Sequence, residues 1–502
     1  MIYVHVPFCR SFCTYCGFYS EICSRRGPQQ VQNRIMEDYA DALLDEIASR
    51  GEEITAARGS GPAGESPSPD TLYIGGGTPS VLPPVLLERI VRALGPATYE
   101  EFTVEVNPDD VAAGGAQYAA ALRALGVNRI SMGVQSFDDG MLRWMNRRHD
   151  AAGAREAFRL LRAAGFDNIS IDLIFGLSHL SDGLWEKTIA EALALRPEHI
   201  SAYQLSVDAD SALAEIVDDG RYTEASDEQC RRQYDTLCRL LADAGYVHYE
   251  ISNWALPGRE AVHNSAYWRR VPYIGLGPSA HSLSFSSAQS LSFPSAPSAS
   301  PFGPSASPSA SSAPSVSSSA PSVSSSAHGA APTTSSVFFS ASIDVDDSPV
   351  AASCNGVRSW NTSELARRDA AGKLLRWHAE REILSEREAA EETIMLALRT
   401  ARGLPLAQLR ALSPAAPVDD LLASGALQSI PASSAPSSSV PSSSAPVSSA
   451  PVSSAPVSFV PASSIPIPSA STPSAPGFPR VRIPEDRFFV SDDIISRLFP
   501  AG

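Results

Sequence analysis

Three cysteines stand within eight residues of one another near the first methionine: Cys9, Cys13 and Cys16, in "HVPFCRSFCTYCGFYS", His5 to Ser20. Thiolates select zinc or iron–sulfur clusters. Three are one short of a closed tetrahedral zinc site, for which Cys23 or His5 is the candidate fourth ligand, although zinc modules usually pair two distant knuckles. In a cubane cluster, three thiolates hold three irons and leave the fourth free to bind another molecule. An odd total of seven cysteines in 502 residues does not read as a disulfide framework, and reduced thiols fit a metal better.

Other residues of chemical interest follow short β-branched runs. "GGGTPS", Gly75 to Ser80, closes the run "TLYIGG" (71 to 76), and such a turn frees backbone N–H groups to meet a polar ligand closely. Glu105 ends "EFTVEV" (101 to 106), Gln135 follows "NRISMGV" (128 to 134), and Asp172 lies inside "NISIDLIF" (168 to 175). With "IYVHV" (2 to 6) and "HISAYQL" (199 to 205), these make six strands, separated by amphipathic stretches at 33 to 50, 84 to 94, 115 to 125, 151 to 164 and 185 to 195. Strands alternating with helices predict an α/β fold, a parallel sheet curled into a partial (β/α)6 TIM-like barrel with its chemistry at the carboxyl ends of the strands. A helix over 226 to 244 and "HNSAYW", His263 to Trp268, follow.

From Ser282 to Ile343, and again from Leu421 to Pro479, no Asp, Glu, Lys or Arg occurs. Ser/Pro/Ala sequence such as "PSVSSSA" at 314 and 321 buries little apolar surface against its ordering entropy. The expected organisation is a barrel with its "HNSAYW" segment over 1–281, a disordered insertion over 282–345, and a small winged-helix-like α+β domain over 346–502, interrupted at about 431–478. A net charge of −16 argues against nucleic-acid or anionic-membrane partners. There is no apolar run of membrane-spanning length and no secretory signal pattern, so the expected location is cytoplasmic.

C-x3-C-x2-C with Tyr15 before the last cysteine, at the start of a βα barrel, resembles the radical S-adenosylmethionine (SAM) proteins. In that family the SAM methionine chelates the unique iron of a [4Fe-4S] cluster, which supplies an electron to generate a 5′-deoxyadenosyl radical. "LYIGGGTPS", "VEVNPDD", "GVNRISMGVQSF", "IDLIFGL", "HNSAYW" and "GLGPSAHS" further resemble the oxygen-independent coproporphyrinogen III oxidase family and its heme chaperone relatives, over nearly the whole chain outside the two insertions. The resemblance implies that Cys9, Cys13 and Cys16 hold the cluster. It implies SAM contacts for Tyr3, Tyr15, Gly76, Gly77, Thr78, Glu105, Gln135, Arg147, Asp172 and Ser206.

Two departures separate the branches. Where the oxidases carry a fourth cysteine, this chain has Phe18, and only eight residues precede Cys9 in place of their long N-terminal extension. Both differences, with "HNSAYW", are similar to the heme chaperones. The resemblance then implies heme as a third cofactor with His263 as its iron ligand, a heme-acceptor apoprotein and a small-protein electron donor as partners, and SAM cleavage without porphyrinogen decarboxylation. Oxygen-independent coproporphyrinogen III oxidase is the alternative, and a zinc-knuckle module a remote third. Cys230 and Cys238, at i and i+8 on a helix, are expected to be buried apolar side chains.

Overall fold

The computed structural model describes residues 1–23, 29–58, 69–209, 211–285, 356–430 and 479–499. Strands β1 (Ile2–Val6), β2 (Thr71–Gly76), β3 (Glu101–Val106), β4 (Arg129–Gln135), β5 (Ile169–Phe175) and β6 (His199–Gln204) lie side by side in chain order, all parallel. β7 (Val247–Glu250) and β8 (Asn253–Ala255) add antiparallel beyond β6, and β9 (Ile274–Leu276) adds parallel beside β1. The nine-stranded sheet remains open between β9 and β7, as a partial barrel does.

Alternation along the strands sorts this sheet into two faces. Leu72, Ile74, Phe102, Val104, Ile130, Met132, Ile171 and Leu173 are buried on the helix-covered face. The alternate positions, Tyr73, Thr103, Glu105, Ser131, Asp172 and Ser201, are polar and form the lumen. Helices α1 (Gln29–Ser49), α2 (Pro84–Ala93), α3 (Pro108–Ala124), α4 (Ala151–Ala163), α5 (Asp182–Leu195) and α6 (Asp227–Asp243) alternate with or follow the strands. In α4, Ala151, Ala154, Ala157, Phe158 and Leu161 recur at helical spacing and are buried. The Asp150 side chain caps it by accepting from Gly153 N–H at 2.7 Å. Burial of Phe158 alone stabilises the contact by about 2–3 kcal/mol.

The strands fall within one residue of their expected bounds. The helix expected from 115 starts instead at Pro108, a residue suited to a first helical position. Gly115, at φ 61°, kinks it, so the apolar period becomes regular only beyond that point.

Ser282 does not begin a disordered stretch. β10 (His281–Ser284) pairs antiparallel with β11 (Val357–Asn361), Ser284 opposite Val357, and β12 (Ala379–Ile383) completes a small sheet. Apart from 282–285, the expected insertion to 345 and that at about 431–478 lie outside the described residues. The chain beyond the first insertion is fastened to α1 by Glu46, a buried carboxylate with four donors. Oε1 accepts from Arg50 at 3.0 Å and Asn361 at 2.8 Å, and Oε2 from Gly277 N–H at 2.9 Å and Trp377 Nε1 at 2.7 Å.

Helix α7 (Val262–Tyr267) lies between β8 and β9. Beyond β12 come α8 (Glu386–Leu398), with a Ser385/Glu388 capping box, then α9 (Leu406–Leu412) and α10 (Val418–Ala423). A sheet of β13 (Leu404–Pro405), β14 (Gln428–Ile430) and β15 (Arg480–Arg482) has β15 in the centre, with Ile430 opposite Arg480. Ile394, Leu398, Leu404 and Phe488 share one apolar core with the barrel strands. Among the described residues no helix is long and apolar enough to cross a membrane.

Candidate cluster and cofactor site

The cysteine loop leaves β1 and folds back onto its own first residues. Phe8 and Cys9 pair with Glu21 and Ile22 in a short parallel ladder. The segment after β4 holds the loop from the other side. Thr14 donates from N–H to the Met145 carbonyl at 3.2 Å and from its hydroxyl to the Trp144 carbonyl at 2.9 Å, while Asn146 donates to the Phe12 carbonyl at 2.6 Å. The first two cysteine sulfurs are joined by a polar arc. Arg147 donates to Cys13 Sγ at 3.3 Å and to Asn107 Oδ1 at 2.8 Å. Asn107 donates to Thr78 Oγ1 at 3.2 Å, and that hydroxyl lies 3.4 Å from Cys9 Sγ.

Burial pushes the Cys9 thiol up and the Cys16 thiol up to about 12, so both keep their protons until a metal displaces them. Cys23 has its side chain buried and its N–H on the Cys9 carbonyl at 2.8 Å. His5 is buried with its ring nitrogens 3.0 Å from Tyr3 Oη and 3.0 Å from the Tyr19 carbonyl. Among the described residues no three His, Cys, Asp or Glu side chains close on a point that a single metal ion would occupy. A cubane places each thiolate on a different iron, so its ligands need not converge. Three half-buried thiols on one clamped loop, with a guanidinium against one of them, fit such a cluster.

The glycine turn after β2 packs beneath this loop. Gly76 has φ +107°, and a Cβ there would meet the His5 ring at 2.7 Å. A Cβ on Gly77 would stand 3.0 Å from the Phe8 and Val6 backbone, so both positions are confined to glycine. Glu105 reaches the same turn: Oε2 accepts from Gly76 N–H at 3.1 Å and Oε1 from the Tyr73 hydroxyl at 2.7 Å. Burial pushes its carboxyl up to about 7. Asp172, also pushed up by burial, accepts from Ser131 at 3.3 Å. Gln135 ends β4 in the left-handed region at φ 68°. Ser206 follows β6, Tyr15 packs on the core, and Tyr3 lies deeper in the lumen beside Tyr73, with 6.1 Å between ring centroids.

The structure thus brings Cys9, Cys13, Cys16, Gly76, Gly77, Thr78, Glu105, Gln135 and Arg147 to the carboxyl end of the sheet, with Asp172 midway along β5 in the lumen. His263 does not join them. It lies by the first residues of β2 and β3, its ring nitrogens 2.7 Å from Thr71 Oγ1 and 2.8 Å from Tyr267 Oη, and it is 1% exposed. Glu101 accepts the Val262 and His263 N–H groups at 2.7 and 3.1 Å. An imidazole with both nitrogens engaged and no surface offers iron no coordination position, which corrects the expectation for His263. The segment instead plugs the amino end of the barrel. Cys230 is buried and Cys238 half-buried.

Asn107, Tyr73 and Ser131 were not singled out by sequence reasoning, although each touches a residue that was. The lumen's alternation carried the signal: polar residues at every second position of strands otherwise apolar.

Residues 3–192 match the model of the radical SAM superfamily. The chain is 35% identical over 284 residues to the heme chaperone HemW of Bacillus subtilis (strain 168), covering 56% of this chain and 69% of that one. With HemW of Lactococcus lactis subsp. lactis (strain IL1403) it shares 33% over 282 residues, 55% of this chain and 68% of that one. The chain belongs to the HemW heme chaperone family. Among solved structures, the coproporphyrinogen III oxidase HemN of Escherichia coli, a radical SAM enzyme, has the same fold. It aligns with a TM-score of 0.55 at 20% identity, covering 85% of this chain and 84% of that one. The HemW relatives align over only about half of this chain.

Proposed function

We propose that this protein is a heme chaperone that carries a [4Fe-4S] cluster on Cys9, Cys13 and Cys16, binds SAM beside it, and delivers heme to an acceptor apoprotein. The observation that carries the reading is the joining of the cysteine loop to the glycine turn and the lumen through Cys13, Arg147, Asn107, Thr78 and Cys9. The cluster would supply one-electron reduction when loaded, from a small-protein donor in solution. The chain's own residues supply the cradle. Gly76 and Gly77 form a turn too tight for side chains and Thr78 adds a hydroxyl beside it, an arrangement suited to the methionyl end of SAM. Glu105 near the end of β3 and Asp172 midway along β5 are lumen acceptors for an ammonium or ribose hydroxyls. Tyr3, Tyr15, Gln135 and Ser206 complete the proposed SAM set.

Phe18, 67% exposed where the oxidases have a cysteine, separates this reading from coproporphyrinogen oxidation. Anaerobic reconstitution followed by parallel assays tests it. The expected result is one cubane per chain whose spectrum changes with SAM, a Soret shift on adding heme, and no turnover of coproporphyrinogen. Absence of the cubane, or porphyrinogen turnover, would refute it.

A further inference from the structure

With His263 sealed inside the barrel, the heme-carrier reading lacks an iron ligand. Nine histidines occur in the sequence, and His328 lies outside the described residues. Of the other eight, His5, His149, His199, His248 and His263 are buried. His281 is half-buried and stacks on Trp360. His378 has Nδ1 3.3 Å from Thr362 Oγ1 and Nε2 3.9 Å from Glu380. His179 alone among the described histidines is exposed with neither ring nitrogen hydrogen-bonded to another described residue.

Its surroundings suit a planar anionic macrocycle. His179 follows β5, at the carboxyl face where the cysteine loop lies. Trp144 meets the imidazole edge-on at 4.8 Å between ring centroids, Tyr222 stands perpendicular to it at 6.0 Å, and the two aromatics touch at 4.9 Å. The Tyr222 hydroxyl is fixed by accepting from Ser178 N–H at 3.0 Å, and Trp144 by the hydrogen bond from Thr14 of the cysteine loop. Next to Trp144, Arg143 is exposed and makes no ion pair among the described residues. Tetrapyrrole binding needs an axial donor, an aromatic wall and a cation for a propionate.

We propose that His179 is the axial ligand through which this chain holds heme iron, with Trp144, backed by the buried Tyr222, as the wall beside the macrocycle and Arg143 as the propionate partner. The proposal rests on the heme-carrier reading.

The test is titration of ferric heme into the full-length, cluster-reconstituted protein, followed by absorption and electron paramagnetic resonance. His179→Ala is expected to weaken binding at least tenfold and to lose the histidine-ligated signature, and free imidazole should restore it. Trp144→Ala should weaken binding with the signature kept. His263→Ala should leave the signature unchanged in whatever fraction folds. Heme bound by the His179→Ala protein with unaltered affinity and signature overturns this inference alone. No heme bound by the unmodified protein overturns the carrier reading as well.

Discussion

Arg147 points a guanidinium nitrogen at the Cys13 sulfur, 3.3 Å away, while its other terminal nitrogen is anchored to Asn107 and the Gly133 carbonyl. Half-buried at the carboxyl end of the lumen, the cation stands against the sulfur proposed as a cluster ligand, which an added electron would make more negative. A positive charge and a hydrogen bond at a ligating sulfur both favour the reduced cluster.

Replacing Arg147 with Met should therefore make the cluster harder to reduce. The expected shift is at least tenfold in the reduction equilibrium, roughly 59 mV more negative for a one-electron couple. A mediated titration read by electron paramagnetic resonance, without SAM, checks it, and Arg147→Lys should recover part of the shift. An unchanged potential would mean that the guanidinium serves only SAM.

Glu46→Ala should cost about 3–5 kcal/mol, because it leaves Arg50, Asn361, Trp377 and the Gly277 N–H without their buried acceptor. Urea denaturation gives the magnitude. Hydrogen exchange should show the loss concentrated in residues 356–384, and a uniform loss would contradict the fastening role.

Glu250 gives a signed pH dependence. Burial pushes its carboxyl up to about 7, against hydrogen bonds from Asn253, Ser252 and Asn264 that pull it down. The folded protein binds this proton more tightly than the unfolded chain, so stability falls as pH rises from about 4.5 to about 7 and is level above. The fall amounts to about 3 kcal/mol. Glu250→Gln should flatten that part of the profile, measured as the difference in urea midpoint between pH 5 and pH 8. An identical slope in the variant would refute the assignment.

His263→Ala should destabilise the fold by about 2–4 kcal/mol, since it strips Thr71 and Tyr267 of buried partners and opens a cavity beside Tyr73. Thermal melting checks the direction. A variant as stable as the parent would mean that the plug is not structural.

The barrel was legible in the sequence because its strands are short β-branched runs ended by glycine or polar residues, and the odd residues fell at their carboxyl ends. The Cys9, Cys13 and Cys16 spacing and the glycine turn were legible for the same reason. His263 was not. A histidine in an aromatic motif reads alike whether it faces a ligand or a lumen, and only the register of Thr71 and Glu101 against helix α7 decides. Glu46 was equally silent, because its partners Gly277, Asn361 and Trp377 come from three segments far along the chain. Nor was the strand at Ser282 legible, since β10 is held by backbone pairing that uncharged residues supply as well as any others.

Ser284 faces Val357, and Ile430 faces Arg480, each pair on neighbouring strands. The described residues that border each long charge-free tract therefore stand opposite one another on neighbouring strands of one sheet. A protease that cuts inside either tract should leave a nicked particle of undiminished size, its fragments parting only in denaturant.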